Sequence, residues 1–378
     1  MTGPAAARDA FAEPSGDPQR AAPLAAVLRE QARHHEVPSL SVAVVRSDRL
    51  LYAVTVGLAD LRSRTPASPR TAYLWFSMSK IATATAAVAL AEAGGLDLDA
   101  PVTAYLPGYR SGQPVVRQLL DHTAGLGNPL PIGWVHPADE PGPDPRTFLW
   151  RRLRGRTPTR HRVGGPAHYS NVGYLVLGEV LRRAAGEPVT DLVTRTVLRP
   201  AGMLGTGYVH PADGSVVDVP ATGYARLPRP ATAALRLLLP DGILGSRHGR
   251  HQAFRPFLVD GPAYGGLIGP ATDAARLAAL HLADGQAAGG RIVSPGAARR
   301  MRTITARGRR RDFGQGWFRS ADARGREPAH VEHLGSGAGF HNLMRLYPGL
   351  DLGVVIMTNA TNAPDLDHIC AVATTLDR

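Results

Sequence analysis

Ser77 and Lys80, in Ser77-Met78-Ser79-Lys80, are the residues of this chain whose types and spacing point most directly to chemistry. On a helix, positions three apart share a face, with Cβ atoms about 5–6 Å from one another. A serine hydroxyl is a poor nucleophile until a neighbour takes its proton. A lysine can take it only as the neutral amine, and burial in a low dielectric lowers its pKa toward that state. Ile81, Ala82, Ala84 and Ala86 supply an apolar setting. Ser77 also falls where a helix begins, after the strand-like Ala72-Tyr73-Leu74-Trp75-Phe76. A helix N-terminus favours negative charge on a nearby oxygen. By itself Ser-x-x-Lys is a short pattern that a long chain can contain by chance.

Composition adds a reason to take the pair seriously. Lys80 is the chain's single lysine, and every other Lys or Arg position holds arginine. A guanidinium does not deprotonate in proteins, whereas a buried ammonium can. A site that needs a neutralisable amine therefore cannot accept the arginine found everywhere else.

Two further segments carry candidate chemistry. Tyr169-Ser170-Asn171 offers a phenol that could relay a proton to a leaving group and an amide that could hold an amine and a substrate carbonyl. Taken alone, it reads more simply as a buried tyrosine followed by a helix-capping asparagine. His333-Leu334-Gly335-Ser336-Gly337 offers a strand whose glycines allow close approach and whose amides could stabilise an oxyanion. Taken alone, His333 reads as a hydrogen-bonded core histidine.

The elements that must position these residues follow from the pattern along the chain. Residues 1 to 21 read as a disordered tail. A helix is predicted from Ala22 to about His35, then two strands over 39–45 and 50–56 joined by a hairpin turn. Residues 77–93 are apolar nearly all round, as in a helix buried mid-protein. Helical spacing recurs at 115–121, 145–154, 172–185 and 189–198, whereas 225–262 has no clear period and reads as a lid-like insertion. Strands return at 313–318, 330–334, 340–346 and 352–357, and a helix closes the chain from Asp365. Strands at both ends and helices between predict an α/β sheet domain from 22–76 and 263–378, with a helical lobe over 77–262.

Length, 44% hydrophobic and 20% charged residues permit a sizeable core. No run of eighteen apolar residues indicates a membrane span, and the N-terminus lacks an apolar signal region, which predicts a cytoplasmic location. The single cysteine, Cys370, excludes an internal disulfide and reads as a buried structural thiol. The net charge of +12 raises nucleic-acid binding. The one dense run, Arg307-Gly308-Arg309-Arg310-Arg311, has no accompanying aromatic platform and reads as a solvated loop, or more weakly as a field attracting anionic substrates. No nucleic-acid partner is predicted. There is no Gly-x-Ser-x-Gly elbow, no His-Glu-x-x-His and no dinucleotide fingerprint, so no metal and no cofactor is expected. The oligomeric state is not readable.

The order, separation and contexts of Ser77-x-x-Lys80, Tyr169-x-Asn171 and His333-Leu334-Gly335 resemble the active-site set of serine β-lactamases, penicillin-binding proteins and related esterases. Tyr-x-Asn as the second motif makes the chain similar to the class C β-lactamase and esterase branch. Leu96–Val102, Leu119–Leu126 and Ala263–Leu267 resemble that branch too, and the likeness runs from about Leu24 to Leu376. It implies a β-lactamase/transpeptidase-like fold, with an antiparallel sheet flanked by helices and an inserted, mainly helical lobe. By resemblance, Ser77 is the acylated nucleophile, Lys80 its general base, Tyr169 the second proton-transfer group and Asn171 the residue orienting lysine and substrate. His333, Gly335 and Gly337 would form the third motif against substrate, and the amides of Ser77 and Ser336 the oxyanion hole. The third motif departs from the Lys-Thr-Gly of many β-lactamases: its hydroxyl is absent and its charge depends on pH. Penicillin hydrolysis and D,D-peptidase activity are therefore the less expected uses. The expected activity is cleavage of a small-molecule ester or amide through an acyl-serine. The alternative is acyl transfer to an amine or alcohol, and a third reading is a non-catalytic binding module.

Overall fold

The computed structural model describes residues 9–11, 13–154, 160–211 and 218–376. Its main sheet has eight strands. In chain order they are β1 (Ser39–Val45), β2 (Leu50–Asp60), β3 (Thr65–Pro66), β4 (Arg311–Phe313), β5 (Phe318–Ser320), β6 (Val331–Gly337), β7 (Phe340–Tyr347) and β8 (Leu352–Thr358). The spatial order is β4-β5-β6-β7-β8-β1-β2-β3, and every pairing is antiparallel. Strands from the two ends of the chain thus meet at the centre, where Leu40 pairs with Thr358 and Val45 with Gly353.

The reason lies in the composition of β1. All seven residues of Ser39–Val45 are buried, which requires cover on both faces of the sheet. Leu40, Val42 and Val44 pack with Leu24 and Leu28 of α1 (Ala22–His34) and with Ile369 and Cys370 of the closing helix. Ala43 and Val45 face the other way, into the larger core that holds the inserted lobe. Burial pushes the Cys370 thiol up to about 12, consistent with a structural role.

The lobe is organised around α2 (Ser79–Glu92), whose residues from Ser79 to Val88 are all buried. Ala82, Ala84, Ala86 and Ala87 keep it thin enough for neighbours to approach from every side. After α2 come α3 (Asn171–Ala185) and α4 (Arg229–Leu238). Segment 145–154 is helical, and 189–198 begins as α-helix and continues as a π-helical turn. Beyond the lobe, α5 (Ala271–Leu282) covers the inner face of the sheet and α6 (Leu366–Ala373) the outer. Among the described residues, no helix is long and apolar enough to cross a membrane.

Three sequence expectations need correction. Residues 225–262 are not merely an aperiodic lid. They carry α4 and most of a small three-stranded sheet of Tyr224–Arg226, Leu244–His248 and His251–Phe254, strands too short to print a period. The strand expected at 313–318 is instead the turn between β4 and β5, because Gly316 takes a left-handed φ of 80°. Of the tail over 1–21, residues 1–8 and 12 lie outside the described residues. The remainder is ordered against β2: Ser15 and Gly16 donate backbone N–H groups to Leu50 and Leu51 at 2.9 Å, and Phe11 packs on the core.

One contact joins the sheet to the turn that carries Ser77. A Cβ on Gly335 of β6 would stand 1.9 Å from the Trp75 carbonyl oxygen and 3.3 Å from the Met78 amide. The strand therefore approaches the turn that carries Ser77 as closely as backbone permits. Gly335→Ala should lower the unfolding free energy by about 1–3 kcal/mol or more, because a backbone obstacle cannot swing aside. Gly349→Ala, whose Cβ meets nothing within 4 Å, should stay within about 0.5 kcal/mol of the parent. Denaturant midpoints of the two variants check this; equal midpoints would contradict it.

Candidate active site

Ser77 lies in a 3-10 turn, Phe76–Met78, that leads into α2. Phe76, just before it, has φ 47°, a left-handed conformation that costs a bulky residue about 1–3 kcal/mol. The Phe257 and Phe340 rings, each 6.2 Å away, flank its side chain. The turn is tied down on the far side as well. Trp75 donates its amide to Leu267 and its indole N–H to Gly269, while the Leu267 amide donates to Ser79 Oγ. Thr83 Oγ1 donates to the Ala263 carbonyl. Segment 263–269 thus clamps the start of α2.

Lys80 is fully buried, and its Nζ has three oxygen neighbours: Ser77 Oγ at 3.0 Å, Asn171 Oδ1 at 2.8 Å and the Tyr264 carbonyl at 2.8 Å. Among the described residues, no carboxylate bonds it. The rings of Tyr169, Tyr174 and Tyr264 surround it at 5.0–5.4 Å. Burial holds its pKa well below that of an ordinary lysine. The acceptors then sort themselves. Two of the three oxygens are carbonyls, which can only accept. A neutral amine gives its two N–H bonds to Asn171 and Tyr264, and its lone pair faces the one partner that carries a proton, the Ser77 hydroxyl.

Tyr169 approaches the same oxygen from another direction, its hydroxyl donating to Ser77 Oγ at 2.7 Å. Burial pushes the phenol up to about 12, against the opposing effects of that hydrogen bond and of Arg311. The phenol is therefore protonated near neutrality and stands as a hydrogen-bond donor to Ser77.

Asn171 opens α3 but is not its cap. Ser170 is, accepting from the Gly173 amide at 3.0 Å, which frees the Asn171 side chain for Lys80. His333 is buried 6.2 Å, ring to ring, from Tyr169, with Nδ1 2.7 Å from the Leu334 carbonyl. It bonds none of Ser77, Lys80 or Tyr169. Burial keeps its pKa well below normal, so the expected pH-dependent charge is replaced by a neutral ring. Gly335 lies against Trp75 rather than against the pocket beside Ser77. Ser336 and Gly337 do line that pocket.

Sequence reasoning assigned no role to three contributors. The Tyr264 carbonyl is a backbone atom and leaves no residue-type signal. Asn128 Oδ1 accepts from the Asn171 amide at 2.9 Å and sets the start of α3. The His122 ring lies tilted, 4.7 Å from that of Tyr169, and its Nδ1 accepts from the Ser170 amide at 3.2 Å. His122 lay within a stretch noted for resemblance, but only the fold brings it to Tyr169.

The pocket beside Ser77 is about 310 Å³ and mostly apolar. Phe76, Val135, Leu235, Leu239, Phe254 and Val259 form much of its wall. α4 and the 130–133 loop close one side, leaving Leu130 and Leu237 exposed at 79% and 88%.

A depressed Lys80 pKa has a thermodynamic signature. Between that value and the ordinary value of about 10.4, the unfolded chain binds more protons than the folded one, so stability at this position rises with pH. Lys80→Met removes the titration. The stability of the parent minus that of Lys80→Met should climb from neutrality toward about pH 10 in denaturant titrations. A flat or falling difference would show an ordinary amine.

The Beta-lactamase family model matches residues 24–375. Esterase EstB of Burkholderia gladioli is 33% identical over 275 residues, which cover 68% of this chain and 68% of that protein. D-aminopeptidase of Brucella anthropi is 29% identical over 231 residues, 59% of this chain and 43% of that one. In structure, EstCE1, described as a hydrolase with promiscuous acyltransferase activity, superposes with a TM-score of 0.68 at 22% identity. That match covers 95% of this chain and 98% of that one, and it is a likeness of fold. The family model spans the sheet domain and the lobe together, and the EstB match covers two thirds of each protein, so this chain belongs to the Beta-lactamase family.

Proposed function

We propose that the protein cleaves an ester or amide of an apolar acyl group through an acyl-Ser77 intermediate. The observation that carries this reading is the Lys80 amine. It is buried, bonded to two carbonyl acceptors, and 3.0 Å from the Ser77 oxygen.

Ser77 Oγ attacks the acyl carbon as its proton passes to the Nζ lone pair. The amides of Ser77 and Ser336 are the proposed donors to the oxyanion. As the tetrahedral intermediate collapses, Tyr169 gives its proton to the departing oxygen or nitrogen and is reprotonated from the Lys80 ammonium. The net transfer is one proton, from Ser77 to the leaving group. Water then repeats the sequence on the acyl-enzyme, with Lys80 again the base. The apolar pocket beside Ser77 supports an aliphatic or aromatic acyl side chain. A neutral His333 and the absence of a hydroxyl at Leu334 leave β-lactam and D,D-peptide substrates without the polar third motif.

Acyl transfer is the second reading. EstCE1 carries promiscuous acyltransferase activity in its description, and the apolar pocket leaves few polar groups to hold a hydrolytic water. Partition between free acid and acylated alcohol separates the two readings.

Incubation with a short-chain aryl ester should place one acyl group on Ser77, read by mass spectrometry. Tyr169→Phe should lower kcat/KM by about 10²–10⁴, the usual range for a proton-transfer residue. Ser77→Ala should remove the adduct altogether. Full turnover by Ser77→Ala would sink the assignment.

A further inference from the structure

A second cleft opens beside Tyr169, away from the apolar pocket. It is about 780 Å³, and Tyr169, His168, Arg309, Arg310, Arg311 and the single carboxylate Asp322 lie in its wall. The three guanidiniums come from the run expected to be a solvated loop. The structure changes that reading: Arg311 begins β4 and lies 4.5 Å over the Phe318 ring and 5.9 Å over Tyr169.

Several other arginines in this part of the chain are matched with carboxylates. Arg299 and Arg302 pair with Asp284, and Arg324 makes a two-pronged pair with Asp312. Asp312 is the acid next to the run in sequence, and it is committed to Arg324 from the other direction. Among the described residues, Arg309, Arg310 and Arg311 form no ion pair. Three guanidiniums against one aspartate give the cleft a positive excess, and the guanidinium fork suits phosphate and carboxylate oxygens.

The position matters as much as the charge. The acyl half of a substrate has the apolar pocket at Ser77. Tyr169 hands a proton to the leaving group, so the leaving half departs on the tyrosine side, and there the wall is basic. We propose that the arginine cleft binds an anionic group, phosphate or carboxylate, on the alcohol or amine half of the substrate, so that the preferred substrate joins an apolar acyl group to an anionic leaving group. The inference rests on the acyl-serine reading above. In the step it describes, the Ser77 Oγ–acyl bond forms and the acyl–oxygen bond of the leaving group breaks. The leaving oxygen takes its proton from Tyr169, and the anion stays paired with arginine throughout. In acyl transfer the same cleft would seat an anionic acceptor.

Three aryl esters of one acyl chain test this, with 4-hydroxybenzamide, 4-hydroxybenzoate or 4-hydroxyphenyl phosphate as leaving group. For the parent protein, kcat/KM for at least one charged ester should exceed that for the neutral one by about tenfold or more, as expected for charge-assisted hydrogen bonds. Which of the two is favoured distinguishes carboxylate from phosphate. The charged-to-neutral ratio should fall toward one in Arg309→Gln/Arg310→Gln, and in the parent as salt is raised. A ratio near one in the parent, or a ratio unchanged in the double variant, overturns the proposal. A parallel titration measures binding of 4-hydroxyphenyl phosphate and 4-hydroxybenzoate by calorimetry. If no ester acylates Ser77, the function reading falls while this titration still decides the cleft: saturable binding lost in the double variant supports it, and no binding refutes it.

Discussion

The amine of Lys80 sits where an ammonium is expensive. It is fully buried among three tyrosine rings and two carbonyl oxygens, with no carboxylate bonded to it among the described residues. Rings and carbonyls favour the cation, and desolvation opposes it more strongly. In its neutral form the amine has one lone pair and one proton-bearing neighbour, Ser77. Tyr169, pushed up to about 12, is protonated near neutrality and donates to the same serine oxygen. The rest of the structure holds this amine dry and its partners in place.

Each partner arrives from a different part of the chain. Asn171 comes from the first position of α3, freed because Ser170 does the capping. The Tyr264 carbonyl comes from the segment that also binds Ser79, Thr83 and Trp75. β6 presses on the turn that carries Ser77 through Gly335, where a methyl group would meet the Trp75 carbonyl. Sheet, lobe and returning chain therefore meet at one turn. Phe76 takes up the strain of that meeting in a left-handed backbone conformation. The walls around this turn are apolar beside Ser77 and basic beside Tyr169.

Much of this was legible in the sequence, for reasons that can be named. Ser77 and Lys80 share a helical face, and the arginine elsewhere in the chain made the one lysine conspicuous. The buried β1 showed as a strand-like stretch, α2 as a segment apolar nearly all round, and the 145–154 helix as helical spacing. What escaped were features without a residue-type signal. The Tyr264 carbonyl is backbone, and the approach of Gly335 to Trp75 is tertiary. The strands near 244–254 are too short to show a period. Arg311 was misread because one arginine in a basic run looks like the others until β4 lays it over Phe318 and Tyr169.

The single lysine makes the central claim directly observable. Protein grown with ¹³Cε- and ¹⁵Nζ-labelled lysine carries one labelled side chain within this sequence, so its NMR spectrum holds one resonance to follow with pH. The account predicts a titration midpoint well below the ordinary value of about 10.4, with the neutral amine substantially populated at the pH of catalysis. A midpoint at or above that value would mean that Lys80 is an ammonium beside Ser77, and the lysine could not be the base.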